Sequence, residues 1–195
     1  MDYEIKILKL FKNGYLTTKD VTDNNIPRFY LTKLIKENKI ERVSRGVYIK
    51  KNALVDEFVV LQSKSKYAIY SNMTALYLHG FSNRIPIIYD ITVKSGYKGS
   101  LQKEDNVNLF YTKRELLELG VIDYKLASGN IIRVYDLDKT ICDIIKNKNK
   151  IDSELFSKAL KEYTKSKKKN LSKLSKYAKL MNIEKKVNEY MEVLL

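Results

Sequence analysis

The sequence is poor in the residue types that build many specialised sites. Its single cysteine, Cys142, excludes an intramolecular disulfide. There is one histidine, His79, and no His/Cys cluster that would hold a transition metal. Two prolines and seven glycines in 195 residues argue against long disordered stretches, and no glycine-rich loop of the phosphate-cradling kind is present. No apolar run approaches the roughly 18 residues that cross a bilayer. The opening "MDYEIKILKLFKNG" lacks the layout of a secretory signal. A cytoplasmic protein with no membrane partner and no cofactor is expected.

Positive charge is what the chain has in excess. It carries 37 Lys and Arg against 23 Asp and Glu, a net charge of +14. Such a chain attracts nucleic acid, anionic membrane or an acidic partner, and charge alone does not choose among them. Its length allows one medium domain or two small ones.

The first 51 residues read as a unit. "DYEIKILKLFKN" sets Ile5, Leu8 and Phe11 at helical spacing, and Gly14 stops the run. "TTKDVTDNN" predicts a short polar helix capped by Thr17 or Thr18, with Val21 inward. A third helix follows Pro27, which suits a first helical turn. Leu31, Leu34 and Ile35 make its inner face; Phe29, Thr32, Lys33 and Lys36 make its outer one. "IERVSRGVYIK" is a hairpin turning at Ser44-Arg45-Gly46. Val47 and Ile49 alternate there with Tyr48 and Lys50, so one face is expected to pack and the other to meet water.

Three short helices and a two-stranded hairpin are the order of a winged helix-turn-helix, whose third helix enters the major groove while the hairpin touches backbone or minor groove. Cations spread over one surface neutralise phosphates and release counterions. The expected DNA-binding residues are Thr18 and Lys19, then Arg28, Phe29, Tyr30, Thr32, Lys33 and Lys36, and on the wing Arg42, Ser44, Arg45 and Tyr48. A docking module for a protein is the alternative reading of the same elements.

Residues 52–195 predict a second, α+β domain, entered through a connector helix over 52–66 that Asn52 caps, with Leu54, Phe58 and Leu61 on one face. "YAIYSN", "PIIYDITVKS", "NVNLFYT" and "GNIIRVYD" are strand-like. "NMTALYLHG" is a helix ending at Gly80, with His79 bonding free carbonyls of its last turn. Thr112 and Glu115 form a capping box for a helix over "KRELLEL", stopped by Gly120. From Leu137 the period is helical. Leu137, Ile141 and Ile144 form one stripe beside Cys142; Leu171, Leu174, Ala178 and Met181 form another, followed by Ile183, Val187, Tyr190 and Leu194. Asp152 is an N-cap, with Ile151 stapled to Phe156.

This helical end holds fourteen lysines between Lys146 and Lys186 against four carboxylates, a net ten of the fourteen positive charges. Lys165, Lys167, Lys168, Lys169, Lys173, Lys176 and Lys179 are the expected contacts to a nucleic acid or an acidic partner; a solvated lysine face is the other reading. No catalytic residues are expected. Asp90 with Lys94, and Asp136 and Asp138 with Lys139, lack the acid-x-lysine step of nuclease cores, and both Asp136 and Asp138 read as helix caps.

Taken in order, the Arg45-Gly46-Val47-Tyr48 hairpin, "SNMTALYLHGF", "IRVYDLDKTICDII" and the lysine-rich tail resemble the AbiEi family of antitoxins. The resemblance spans nearly the whole chain, and Arg45, Gly46 and Tyr48 carry the wing signature. It implies a type IV toxin–antitoxin system of abortive infection, which confers phage resistance. Such a protein represses its own operon by binding inverted repeats in the promoter. It also counteracts an AbiEii-like nucleotidyltransferase toxin without forming a stable complex. A monomer in solution is expected. An RNA- or protein-binding adaptor using the lysine-rich helices is the alternative.

Overall fold

The computed structural model describes residues 3–194. The chain forms two compact units. The first runs to Lys66 and takes in Tyr124–Ile132; the second holds Tyr67–Asp123 and the residues from Arg133 onward.

The first unit is ordered α1 (Tyr3–Lys9), β1 (Tyr15–Thr17), α2 (Thr18–Asp23), α3 (Phe29–Lys36), β2 (Ile40–Ser44), β3 (Val47–Lys50) and α4 (Glu57–Ser63). Strand β3 lies between β1 and β2 and runs antiparallel to both; Tyr48 faces Leu16 on one side and Arg42 on the other. β1 has no counterpart in the sequence reading, and it changes the exposure of β3. Tyr48 joins Ile7, Leu16, Val21, Leu31 and Leu34 in the main core, while Val47 and Ile49 pack with Tyr15, Val43, Val59 and Val60 on the opposite face. Both faces of β3 are therefore covered, and Tyr48, expected to meet water, is 8% exposed.

The connector helix starts later than expected. Asp56, not Asn52, caps α4, accepting from the Phe58 N–H at 3.1 Å. Asn52 instead takes a left-handed φ of 60°, and Leu54 is 97% exposed rather than inward. Asp56 is anchored from outside the helix: its N–H donates to the Tyr15 hydroxyl at 2.6 Å, and its carboxylate accepts from Ser128 at 2.9 Å. Asn13 donates to the Gly129 carbonyl at 2.8 Å, so residues 124–132 are tied into this unit.

The second unit holds most of a five-stranded sheet in the order β6-β5-β4-β8-β7, built from β4 (Ile69–Tyr70), β5 (Tyr89–Lys94), β6 (Val107–Thr112), β7 (Val121–Lys125) and β8 (Ile131–Tyr135), with β7 and β8 running on into the Tyr124–Ile132 stretch. β4 runs antiparallel to β5 and parallel to β8, and β5 runs parallel to β6. The helix expected over "KRELLEL" is only a 3-10 turn, Arg114–Leu116. Thr112, its expected cap, is the last residue of β6, paired with Lys94, so the ladder claims it. Strand β7 was not anticipated; its residues are only partly buried and carry a weak pattern.

Helices α5 (Asn72–Leu78), α6 (Leu137–Lys146), α7 (Ser153–Lys165), α8 (Leu171–Leu180) and α9 (Glu184–Leu194) supply the larger core. Leu137, Ile141, Ile144, Leu174, Ala178, Met181 and Val187 pack there with Cys142, as helical spacing predicts, together with Leu76, Phe156 and Leu160; Leu171, expected on the same stripe, stands at the first position of α8 and is 42% exposed. Ile151 packs on the same cluster as Phe156, across the Asp152 cap. Asp136 caps α6, but Asp138 does not; it accepts from the Tyr163 hydroxyl and the Asn170 N–H, each at 2.8 Å, and joins α6 to α7 and the start of α8. His79 bonds the Tyr135 carbonyl through Nε2 at 2.8 Å, a carbonyl of β8 and not one of its own helix. Burial lowers the pKa of this imidazole.

With glycine scarce, asparagine takes its place at turns. Every non-glycine residue with positive φ among those described is Asn: 13, 25, 38, 52, 72 and 182. Its short amide tolerates this conformation better than other L side chains do.

Candidate nucleic-acid interface

Helix α2 begins with a full capping box. The Asp20 N–H donates to Thr17 Oγ1 at 3.1 Å, and the Thr17 N–H donates back to the Asp20 carboxylate at 2.8 Å. Thr17 is thus the cap, not Thr18. The Thr18 N–H is turned to the hairpin, donating to the Gly46 carbonyl at 2.8 Å. Gly46 has φ +79°, and a Cβ there would lie 3.2 Å from Thr18 Oγ1. This contact places Thr18 and Lys19 beside Ser44 and Arg45. Lys19 and Arg45 are exposed. A bulge in β2 falls between Arg42 and Ser44, and Arg42 Nε donates to the Ser44 carbonyl at 3.2 Å, folding that side chain along the hairpin.

Helix α3 buries Leu31 and Leu34 and leaves Phe29, Thr32, Lys33 and Lys36 exposed, with Arg28 at its N-terminal end. These exposed positions repeat every three to four residues and share one face. Phe29 is 70% exposed, a large apolar surface to leave in water. Tyr30 is half-buried, its ring 5.0 Å from Tyr3 and 5.7 Å from Phe29. Arg28, Thr32 and Lys36 have no side-chain partner among the described residues.

Lys33 differs from its neighbours. It pairs with Glu4 of α1 at 2.5 Å and with Glu37 at 3.7 Å, while Lys39 pairs with Glu4 and Glu37 at 2.9 and 2.8 Å. The hydrogen bonds from Lys33 and then Lys39 hold the Glu4 carboxyl down to about 2, and Glu4 raises Lys33 in return. Lys39 is raised by Glu37 and Glu4. Glu4 carried no signal in the sequence; its role needs α1 docked on α3. Of the expected contacts, then, Tyr48 is in the core, Lys33 is held by carboxylates, and Arg28, Phe29, Thr32, Lys36, Lys19 and Arg45 present their side chains to solvent.

The lysines of the second unit also divide. Lys173 pairs with Asp136 at 3.4 Å, Lys179 pairs with Glu184 at 3.6 Å, and Lys169 donates to the Thr164 carbonyl at 2.6 Å. Lys165, Lys167, Lys168 and Lys176 are exposed and matched to no carboxylate among the described residues.

The segment with α1, α2, α3 and the β2–β3 hairpin has a known counterpart. Residues 6–49 match the family of the transcriptional regulator, AbiEi antitoxin. The AbiEi match begins inside α1 and ends inside β3, and so covers α2, α3 and nearly all of the hairpin just described. The fold is similar to that in the crystal structure of the RV2827C protein from Mycobacterium tuberculosis, with a TM-score of 0.59 and 10% sequence identity. That likeness covers 85% of this chain, which spans 66% of the other chain's length. No curated protein matches the chain. No helix among the described residues is long and apolar enough to cross a membrane.

Proposed function

We propose that this protein is a DNA-binding transcriptional repressor and antitoxin, with residues 1–51 as a winged helix-turn-helix. Helix α3 enters the major groove, offering Arg28, Phe29, Thr32 and Lys36. The β2–β3 hairpin is the wing, offering Arg45 and Ser44 to the flanking backbone, with Thr18 and Lys19 beside it. The AbiEi match over the same segment supports this reading, as does the net charge of +14. The observation that carries it is the outer face of α3: two cations, a threonine and a bare phenylalanine at helical spacing, with the inner face spent on the core.

The finer parts of the proposal rest on the resemblance to that family. The protein sits in the cytoplasm, binds inverted repeats in its own promoter as a monomer pairing on the DNA, and counteracts a nucleotidyltransferase-like toxin of a type IV abortive-infection system without a lasting complex. Residues 52–195 supply the antitoxin function. No catalytic role is assigned to any residue. The test is titration of the full-length protein onto labelled DNA from its own promoter, read by anisotropy. Saturable, salt-dependent binding that exceeds binding to scrambled DNA supports the reading; equal weak binding to both overturns it.

A second reading is favoured by the unmatched Lys165, Lys167, Lys168 and Lys176. In it the helical end binds RNA or an acidic protein, and DNA binding is secondary. Binding of structured RNA that survives Arg45→Ala, with no operator binding at all, would select it.

A further inference from the structure

The second unit contains a cleft of about 510 Å³. One wall is the end of α5 and the residues after it; the other is α7 and the turn that follows. Lys158, Glu162 and Lys165 line it at steps of four and three residues, which puts them on one stripe of α7. Lys168 reaches the same space from the turn, and its charge acts on His79 opposite.

Three lysines therefore line one concavity. None of them has a carboxylate within ion-pair reach among the described residues, although Glu162 stands between two of them on the helix. Lys33, Lys39, Lys51, Lys139, Lys173 and Lys179 each touch an acid, whereas the three lysines of the cleft share one concavity without one. Like charges held together repel, and a bound anion relieves them.

The walls are built before any ligand arrives. The Lys168 N–H donates to Ser166 Oγ at 3.0 Å, Lys169 donates to the Thr164 carbonyl at 2.6 Å, and the Asn170 N–H ends on buried Asp138 at 2.8 Å. The turn that carries Lys168 is thus fixed at three points. His79 fixes the facing wall through the Tyr135 carbonyl.

The remaining lining narrows the anion. Phe81 packs partly on the core and also lines the cleft, so its ring can take a stacked base. Asn83 adds an exposed amide, and Glu162 an acceptor suited to sugar hydroxyls. The volume lies within the range of sites for molecules of nucleotide size. We propose that this cleft binds a nucleoside polyphosphate, its phosphates on Lys158, Lys165 and Lys168 and its base against Phe81. The source is either a free nucleoside triphosphate or the 5′-triphosphate end of an RNA.

Calorimetric titration of the full-length protein with ATP, GTP, inorganic tripolyphosphate and a short 5′-triphosphorylated RNA tests this. At least one nucleotide is expected to saturate a single site. Lys158→Gln and Lys168→Gln should each weaken it roughly tenfold, as expected for a lost charge-assisted contact. Phe81→Leu should weaken nucleotide but not tripolyphosphate. The thermal midpoint should hold in the lysine variants, and a Lys185→Gln/Lys186→Gln control should bind as wild type. Free nucleotide binding as tightly as the RNA end identifies a small-molecule site; RNA binding far more tightly identifies an end-recognition site. The proposal is overturned by no saturable binding at millimolar nucleotide, by equal loss in the control, or by tripolyphosphate matching nucleotide with Phe81→Leu silent. Operator binding is read separately and does not decide it.

Discussion

The Thr18 N–H donates to the Gly46 carbonyl at 2.8 Å, which fastens the first turn of α2 to the tip of the β2–β3 hairpin. Gly46 holds a left-handed φ of +79°, and an added Cβ would meet Thr18 Oγ1 at 3.2 Å. Gly46→Val should therefore cost on the order of 1–2 kcal/mol from backbone conformation alone and displace Arg45. A lowered thermal midpoint with weakened operator binding is expected from calorimetry and anisotropy. An unchanged midpoint would show that the hairpin turns without this contact.

Glu4 restrains Lys33 and Lys39, and its carboxyl is held near 2. The pKa is depressed, so the stability it contributes is present above the unfolded carboxylate value of about 4.3. It is lost as pH falls from there through about 2. Glu4→Gln should remove that acid sensitivity from the first unit. It should also leave Glu37 as the carboxylate that Lys33 and Lys39 share, loosening Lys33 on α3 and steepening the salt dependence of DNA binding. Chemical denaturation across this pH range, with a salt series, checks both.

Asp90 behaves in the opposite sense. Burial raises its carboxyl to about 6, although the Met73 N–H donates to it at 3.0 Å and Asn108 at 3.3 Å. The folded state holds the proton more tightly than the unfolded chain does. Its contribution therefore declines as pH rises from about 4 to about 6, by ~3 kcal/mol in total. Asp90→Asn keeps an acceptor for the Met73 N–H and removes the charge, so stability at neutral pH should rise and the decline should flatten. A variant less stable than wild type at pH 7 would contradict this.

Lys139 and Asp143 form a buried pair, with Nζ 2.7 and 2.8 Å from the carboxylate oxygens and 4.0 Å from the Tyr135 ring centroid. Lys139→Met alone leaves a buried carboxylate and should cost about 3–5 kcal/mol. The double variant Lys139→Met/Asp143→Leu should recover most of that loss. Additive losses in a double-mutant cycle would show that the charges do not act as a pair.

Local signals in the sequence were strong where one element decides its own structure. The α3 period placed Leu31 and Leu34 inside and Phe29 and Lys36 outside, and Asp152 and Asp136 cap the helices they precede. Signals failed where a distant partner decides. Tyr48 alternates as a solvent-facing residue should, but β1, from thirty residues earlier, makes β3 central and buries it. Thr112 and Glu115 form a proper capping box, yet pairing with β5 takes Thr112 into a strand. Asn52 and Asp56 are equally good caps by composition; Tyr15 and Ser128 select Asp56. The restraint on Lys33 came from Glu4, in a helix where no sequence pattern singles it out.

The central claim is that the outer face of α3 and the hairpin tip bind operator DNA together. Its most direct measurement is a salt series of anisotropy titrations on promoter DNA, comparing wild type with Arg28→Ala, Lys36→Ala and Arg45→Ala. As exposed substitutions, the three should leave stability within about 0.5 kcal/mol of wild type. Each should weaken binding, with a phosphate-contacting lysine lowering the salt slope by about 1. Wild-type affinity and slope in all three variants, with the fold intact, would contradict it.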